Sequence, residues 1–513
     1  MAALITDEFR LFNADNFIKS VTDPTNSYYI FVGLCNPVGN EYGRSPTWNQ
    51  DPPAPIDNFS YTRGCYDWMM YGRRITPGNI RRVVRRIDWK KGTRYEQYRD
   101  DYSVLNPSPN TGSTRLYDAN YYVVNSEFRV YICLSNGSSG DNPKGNGSED
   151  EPNFVDTEPS AAGSSGDGYV WKYLYTVSPA DVIKFDSTDF ITVPSDWLTT
   201  NSPQIVSIRE SGDSVINDAQ LKEIYIDKRG VGYSGGAGQE LPILGDGEGA
   251  RAVIDVNSGQ ITNALVSKGG KGYTWGLVDL GSINSSASEA AKLDVIIPPS
   301  IGHGFDIYQE LGTDRVLIYA RFDDSTQDFP IDTQFAQIGL LRNPTINNSI
   351  TTFTDNTFTA ADSLKLNSYS GALEVGEIIE QATVEGIARA YVISFNEETQ
   401  VVKYAQDRSL YYNPVTYNNT DYVGISTNGN QIPFVSNGNN ITASGFSGEI
   451  DLTFNGSTLV VGNRTVELGV EFTNGVARSE INKPSGEILY LDNRPLVPRN
   501  PRQKEDVKII LEF

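Results

Sequence analysis

Along most of this chain the apolar residues come in short aromatic or β-branched runs, not at helical spacing. The exception is the segment 7–22, where Phe9, Phe12, Phe17, Ile18 and Val21 fall among polar residues at spacings that partly suit an amphipathic helix, with Asn13 as a candidate cap. Beyond it, the runs 28–34, 123–134, 169–177 and 190–193 are set between clusters of Gly, Pro, Asn and Asp, which predicts strands joined by long loops. Near the C-terminus 487–491 and 506–513 read as strands. The second places Val507, Ile509, Leu511 and Phe513 on one face, the pattern of a strand docked in a sheet.

Between these runs lies 135–168, dominated by Ser, Gly, Asn, Pro and acids. It cannot bury enough apolar surface to fold alone, so it reads as a long excursion between strands, either reaching a neighbouring subunit or serving as flexible filler. An internal repeat follows: IYIDKRGVGYSGG at 224–236 aligns with ALVSKGGKGYTWG at 264–276. Lys228/Lys268, Gly230/Gly270, Gly232/Gly272, Tyr233/Tyr273 and Gly236/Gly276 coincide, each copy a strand running into a Gly-x-Gly-Tyr turn. Between the copies 251–256 alternates, so 201–295 reads as a small duplicated β module. A second β-rich stretch, 351–477, carries Asn455-Gly456 and Asn474-Gly475 as candidate hairpin turns.

Length and composition narrow the class. At 513 residues the chain is long enough for two to four domains or for one core with large insertions; 29 Tyr and 21 Phe are available to build it. A formal net charge of −22 argues against nucleic acid or an anionic membrane as the main partner, since both would repel it. There is no apolar run long enough to span a membrane, and the opening residues carry acids and an Arg where a signal peptide needs an apolar stretch, so synthesis in a cytoplasm is expected. Cys35, Cys65 and Cys133 form no C-x-x-C pair, so a disulfide framework is not expected. With His303 the sole histidine, a two-histidine zinc site is impossible and only one Ser-His-Asp triad could be drawn.

Three stretches resemble the wedge-protein family encoded by gene eight in T4-like contractile-tailed phages. The first runs from Pro52-Pro53-x-Pro55-x-Asp57 through Trp68-Met69-Met70 to RRIDWKKGTRYEQY at 85–98. The second is GDGYVWKYL at 166–174, followed by FITVP at 190–194; the third is SGEILYLDNRPLVP at 485–498 with EDVKIILEF at 505–513. The likeness covers roughly 1–200, more weakly 296–345 around IGLLRNP at 338–344, and 478–513. It implies a mainly β fold of stacked, sandwich-like sheets with long loops, a few short helices and inserted small β modules. The implied organisation is a wedge core at 1–200, the Gly-x-Gly-Tyr insertion at 201–295, a return to the core at 296–350, an inserted β-rich domain at 351–477, and terminal core strands at 478–513.

The same resemblance implies a homodimeric, non-enzymatic subunit of the virion's tail baseplate, without cofactors, that contacts other wedge proteins; the insertions would add contacts to neighbouring wedges or tail fibres. No catalytic or metal-binding residues carry over. The rival reading is a carbohydrate-binding or depolymerising tail-fibre protein, suggested by the tyrosines, the acids and the Gly-rich repeat. It requires exposed aromatic rings along a groove.

From Arg73 to Arg94 nine basic residues, Arg73, Arg74, Arg81, Arg82, Arg85, Arg86, Lys90, Lys91 and Arg94, face the lone acid Asp88. On so acidic a chain this inversion suggests a docking face for an acidic neighbour, against the plainer reading of a solvated face with internal ion pairs. Nucleic-acid binding fits less well, since no basic, aromatic-interleaved domain accompanies the cluster. Arg494, in Asp492-Asn493-Arg494-Pro495, reads as a salt-bridging residue of an Asx-type turn or, more sharply, as a partner contact. Gly269-Gly270-Lys271-Gly272 looks like a phosphate loop but lacks the Ser or Thr after the Lys and sits in a β setting. His303, between glycines, reads as a loop residue packed on its neighbours.

Overall fold

A computed structural model describes residues 4–34, 47–210, 220–284, 287–323, 334–407, 410, 425, 431–499 and 503–513. Cys35 lies outside them. The protein is mainly β: among the described residues twenty-seven strands stand against five α-helices, of which only Asp7–Thr22 exceeds nine residues. No helix there is long and apolar enough to cross a membrane. The chain divides into two compact units: Met1–Phe17 with Arg81–Leu317 and Ile510–Phe513, and Ile18–Ile80 with Ile318–Ile509.

The helix Asp7–Thr22 starts earlier than Asn13 suggested. The Thr6 hydroxyl accepts from Phe9 N (3.3 Å), and Asp7 and Glu8 occupy the positive end of the helix dipole, so Asn13 is an interior residue and caps nothing. Ala14 and Val21 are buried and Phe17 and Ile18 half-buried, while Phe9 and Phe12 are more than half exposed, so the buried stripe keeps Phe17, Ile18 and Val21 of the expected set and leaves out the two rings of the first turns.

In the first unit, Tyr122–Val124, Arg129–Asn136 and Tyr169–Thr176 form an antiparallel three-stranded sheet. The apolar run 123–134 is two strands, not one. Asn125 breaks it: its side-chain carbonyl accepts from Glu127 N and Arg129 N (both 2.9 Å), and Phe128 takes φ 57° to reverse the chain. The alternating faces of this sheet feed a core rich in rings, with Tyr121, Tyr131, Tyr169, Trp171 and Trp197 all essentially inaccessible. The polar excursion 135–168 packs on this same unit. Hydrogen bonds hold much of it: Asn136 Nδ2 donates to Tyr95 O (2.8 Å), Asn146 Nδ2 to Asp167 O (2.7 Å) and Gly140 N to Ile226 O (2.8 Å), while Phe154 and Ala162 pack on the core.

The repeat region encloses a separate core. Gln260–Lys268, Arg251–Asn257, Gln239–Gly245 and Gly276–Val278 make a four-stranded sheet, and Lys292–Val295 pairs with Ile224–Lys228. The two Gly-x-Gly-Tyr turns are equivalent in form: Gly230, Gly232, Gly270 and Gly272 all have positive φ, which a side chain at these positions would oppose. Each tyrosine ring returns to the core and satisfies backbone there. Tyr233 Oη accepts from Ala291 N (2.8 Å), and Tyr273 Oη accepts from Ala250 N (3.2 Å).

The second unit brings distant stretches into one five-stranded sheet, in the order Thr357–Thr359, Met69–Arg74, Tyr28–Gly33, Gln334–Arg342, Glu487–Pro498. Early and late parts of the chain thus share a ladder. Its register sets Phe31 between Gly72 and Gly339, and Phe358 beside Gly72. Rings lie over the glycines, where a Cβ would collide with Phe358 at Gly72 and with Phe31 at Gly339. Asp492-Asn493-Arg494-Pro495 is no turn; it lies within the last of these strands, because Asn493 has internal partners. Its side chain accepts from Gln337 Nε2 (2.9 Å) and donates to Pro53 O (2.8 Å).

Within the β-rich stretch 351–477 six strands close a barrel. Val401–Ala405, Gly386–Asn396, Ile378–Thr383, Ile441–Ala443, Phe446–Ile450 and Asp362–Ser370 pair in sequence, and the last pairs back to the first. Closure removes the open edges that a flat sheet would expose. Of the two hairpin signals, Asn474-Gly475 is a turn, with φ of 50° and 76°. Asn455-Gly456 is not: Gly456 begins the strand Gly456–Val461, which turns at Gly462-Asn463 into Arg464–Phe472.

Candidate functional site

The first unit holds a concavity with a volume of about 440 Å³. The ribbon of Ile224–Lys228 and Lys292–Val295 forms one wall. Its alternation decides what each face does: Ile224, Leu293 and Val295 point into the core of the repeat region, so Tyr225, Asp227, Lys292 and Asp294 line the cleft. The opposite wall is the segment 96–109, and Asn136, Ser138 and Gly140 complete it.

The carboxylates in this cleft are matched by donors. Glu96, 1% exposed, accepts from Thr111 N (2.7 Å) and Asn110 N (3.0 Å), which pins the loop beyond the cleft. Asp101 receives two bonds from Arg99 (2.8 and 2.6 Å), whose guanidinium also lies 4.3 Å over the Tyr225 ring. Lys292 Nζ bridges Asp227 (2.9 Å) and Asp294 (3.2 Å). This is the chemistry of a preorganised polar binding surface.

A second polar cluster is sealed in the core. His303 Nδ1 lies 2.6 Å from Glu310 Oε1, and Gly304 N donates to Glu310 Oε2 (2.6 Å). Asp306 caps the short helix Ile307–Glu310, which aims the Glu310 carboxylate back at the glycine-flanked loop. His303 also meets the Tyr98 ring edge-on at 4.8 Å. Nearby Lys172, fully buried, donates to Thr157 O (2.6 Å), and burial pushes its amine down to about 8. With His303 and Glu310 only 4% and 1% exposed, no substrate has access. Packed on its neighbours as expected, His303 has a charged partner that the sequence gave no sign of.

The basic stretch is divided by the strand Ile80–Arg85. Arg81 pairs with Asp181 (3.0 Å), Arg82 with Asp15, and Arg86 with Asp186 (2.7 Å) and Asp88 (2.9 Å). Arg82 also lies 4.2 Å over the Tyr308 ring, and Arg85 donates to Ala119 O (2.9 Å). Arg73 and Arg74 are half-buried, and Arg74 reaches the Thr354 carbonyl. Lys90, Lys91 and Arg94 are exposed; Lys91 lies 3.6 Å from Glu149. Arg494 is exposed and pairs with Asp492. Lys271 pairs with Glu248 (3.1 Å) on an exposed turn, where no helix follows to cradle a phosphate. Cys65 and Cys133 are buried free thiols.

Aromatic-cored sheets with internally matched polar groups define a mainly β protein with few short helices. No protein-family model matches the chain. It is related in sequence to the baseplate wedge protein gp8 of Enterobacteria phage T4, with 26% identity over 220 residues, covering 37% of this chain and 60% of the T4 protein. The chain therefore matches about three-fifths of that relative's length.

Proposed function

We propose that this chain is a non-enzymatic structural subunit of a phage tail baseplate, built into the wedge of a contractile tail. The likeness to the T4 wedge protein carries the reading. The five-stranded sheet supports it, since the strands it draws from both ends of the chain are among the stretches that resemble the wedge family. In this reading the subunit is made in the host cytoplasm, dimerises about a two-fold axis, binds other wedge proteins and relays baseplate rearrangement to sheath contraction. An obligate dimer interface of this kind buries more than about 2,000 Å². The repeat module and the barrel stand as insertions that add contacts to neighbouring wedges or tail fibres.

Within the basic stretch, docking falls to Lys90, Lys91 and Arg94, because the arginines of the strand Ile80–Arg85 are held by their own unit. Arg494 is a further contact candidate. The test is co-expression with the other wedge proteins of the same phage, followed by purification and mass measurement. A complex containing two copies of this chain is expected; a monomer at high concentration that enters no wedge complex would overturn the proposal.

A further inference from the structure

We propose that the cleft between the ribbon Ile224–Lys228/Lys292–Val295 and the segment 96–109 is a binding site for a neutral saccharide unit. At about 440 Å³ it falls within the range of small-ligand pockets, roughly 300–1,000 Å³. Its lining is mainly hydrogen-bonding, with acceptors at Asp101, Asp227 and Asp294, donors at Arg99 and Lys292, and the mixed amide of Asn106, beside the rings of Tyr102 and Tyr225. A polyhydroxylated ring uses such a lining, since each hydroxyl both donates and accepts.

The charge pattern selects among ligands. Two cations face four carboxylates, Glu96, Asp101, Asp227 and Asp294, so a phosphate or another anion meets net repulsion. A metal ion is disfavoured as well, because Lys292 already occupies the position between Asp227 and Asp294. An apolar ligand would strip water from these groups and return no hydrogen bonds. A neutral, hydroxyl-rich molecule remains.

Two further observations point to a built site. The walls are rigid: Glu96 pins the loop at Asn110 and Thr111, and Gly140 abuts strand Ile224–Lys228 so closely that a Cβ would collide with the Asp227 carbonyl. Preorganisation of this kind lowers the entropy lost on binding. In addition, Gln97, 3% exposed and lining the cleft, accepts from Ser138 Oγ (2.9 Å) while its Nε2 has no partner among the described residues. Turning the amide over leaves its other terminal atom in the same position, so one buried polar atom stays unsatisfied at a typical cost of about 1–3 kcal/mol. Because Gln97 lines the cleft, a rotation of its amide toward the opening would bring that buried N–H to a ligand hydroxyl.

The experiment is saturation-transfer NMR on the full-length protein with glucose, galactose, N-acetylglucosamine, rhamnose and short oligomers of each, alongside inorganic phosphate and an acidic tetrapeptide. Saccharide signals are expected, with affinity at least tenfold weaker in Asn106→Ala and Asp294→Asn, and with the melting temperature unchanged in Asn106→Ala, a loop position bonded to Asp101 (2.9 Å). Transfer from phosphate or peptide but no saccharide would overturn the proposal, as would no transfer at all or saccharide transfer equal in both variants. The wedge assignment stands or falls separately, on complex formation.

Discussion

The only histidine of the chain, His303, is joined to Glu310 by a 2.6 Å contact in the core of the first unit, and the same carboxylate holds Gly304 N. One side chain therefore fixes a glycine-flanked loop onto the helix that follows it. Glu310→Ala takes the carboxylate away from the imidazole and leaves the Gly304 N–H without its acceptor in a site sealed from water, so a loss of about 1–3 kcal/mol is expected. Glu310→Gln keeps the acceptor for Gly304 and loses less. Urea titration of the full chain, read at the transition of this unit, checks both; an alanine variant within about 0.5 kcal/mol of the parent contradicts the assignment.

In the five-stranded sheet Phe31 covers Gly339 and Phe358 covers Gly72. Neither glycine needs positive φ; each is required for space. Gly339→Ala and Gly72→Ala force a ring out of a close-packed core, with an expected cost of about 1–3 kcal/mol each. Pairing Gly72→Ala with Phe358→Leu should recover part of that loss, since the leucine vacates the ring's position. Thermal melts of the single and double variants measure the coupling.

Lys403, on a barrel strand, is buried; its Nζ donates to Tyr71 Oη at 2.6 Å, and desolvation pushes it down to about 7. The sign follows from proton uptake. Between about pH 7 and the ordinary lysine value of 10.5, the unfolded chain holds a proton that the folded chain lacks, so stability rises with pH across this window. Below about 7 both states are protonated and the penalty is complete. Lys403→Met should stabilise the second unit at pH 7 and flatten the pH slope between 7 and 9. An equally steep slope in the variant would show that Lys403 is not its source.

Charge reversal across the basic stretch has two distinct outcomes. Reversing Arg81, Arg82, Arg85 and Arg86 breaks internal pairs with Asp181, Asp15 and Asp186 and leaves carbonyls without donors, so loss of folding is expected there. Reversing Lys90, Lys91 and Arg94 on the surface changes stability by no more than about 0.5 kcal/mol. If these three steer docking, the triple variant slows wedge-complex formation, most at low salt, as measured by surface plasmon resonance against the purified partner complex. An unchanged association rate removes them from the interface.

Local pattern made much of this protein legible. The β character, the strand positions and the Gly-x-Gly-Tyr turns follow from spacing and from glycine's access to positive φ, both properties of a few adjacent residues. Asn474-Gly475 was readable for the same reason, whereas Asn455-Gly456, with the same dipeptide, begins a strand instead; the strands available for pairing decided between them. Likewise Asp492-Asn493-Arg494-Pro495 has turn composition yet lies in a strand, because Gln337 and Pro53, distant in sequence, supply the partners of Asn493.

The cleft was not legible at all. Its lining comes from residues almost two hundred positions apart, and Tyr225, Asp227, Lys292 and Asp294 face it only because their neighbours bury themselves in the repeat core. The same holds for the basic stretch, where a count of charges could not tell the arginines bound inside their unit from the three residues left at the surface. Short-range sterics and periodicity are written in the order of residues and survive without a fold. Ion pairing, burial and barrel closure depend on which distant segments meet, and that is fixed only when the cores assemble.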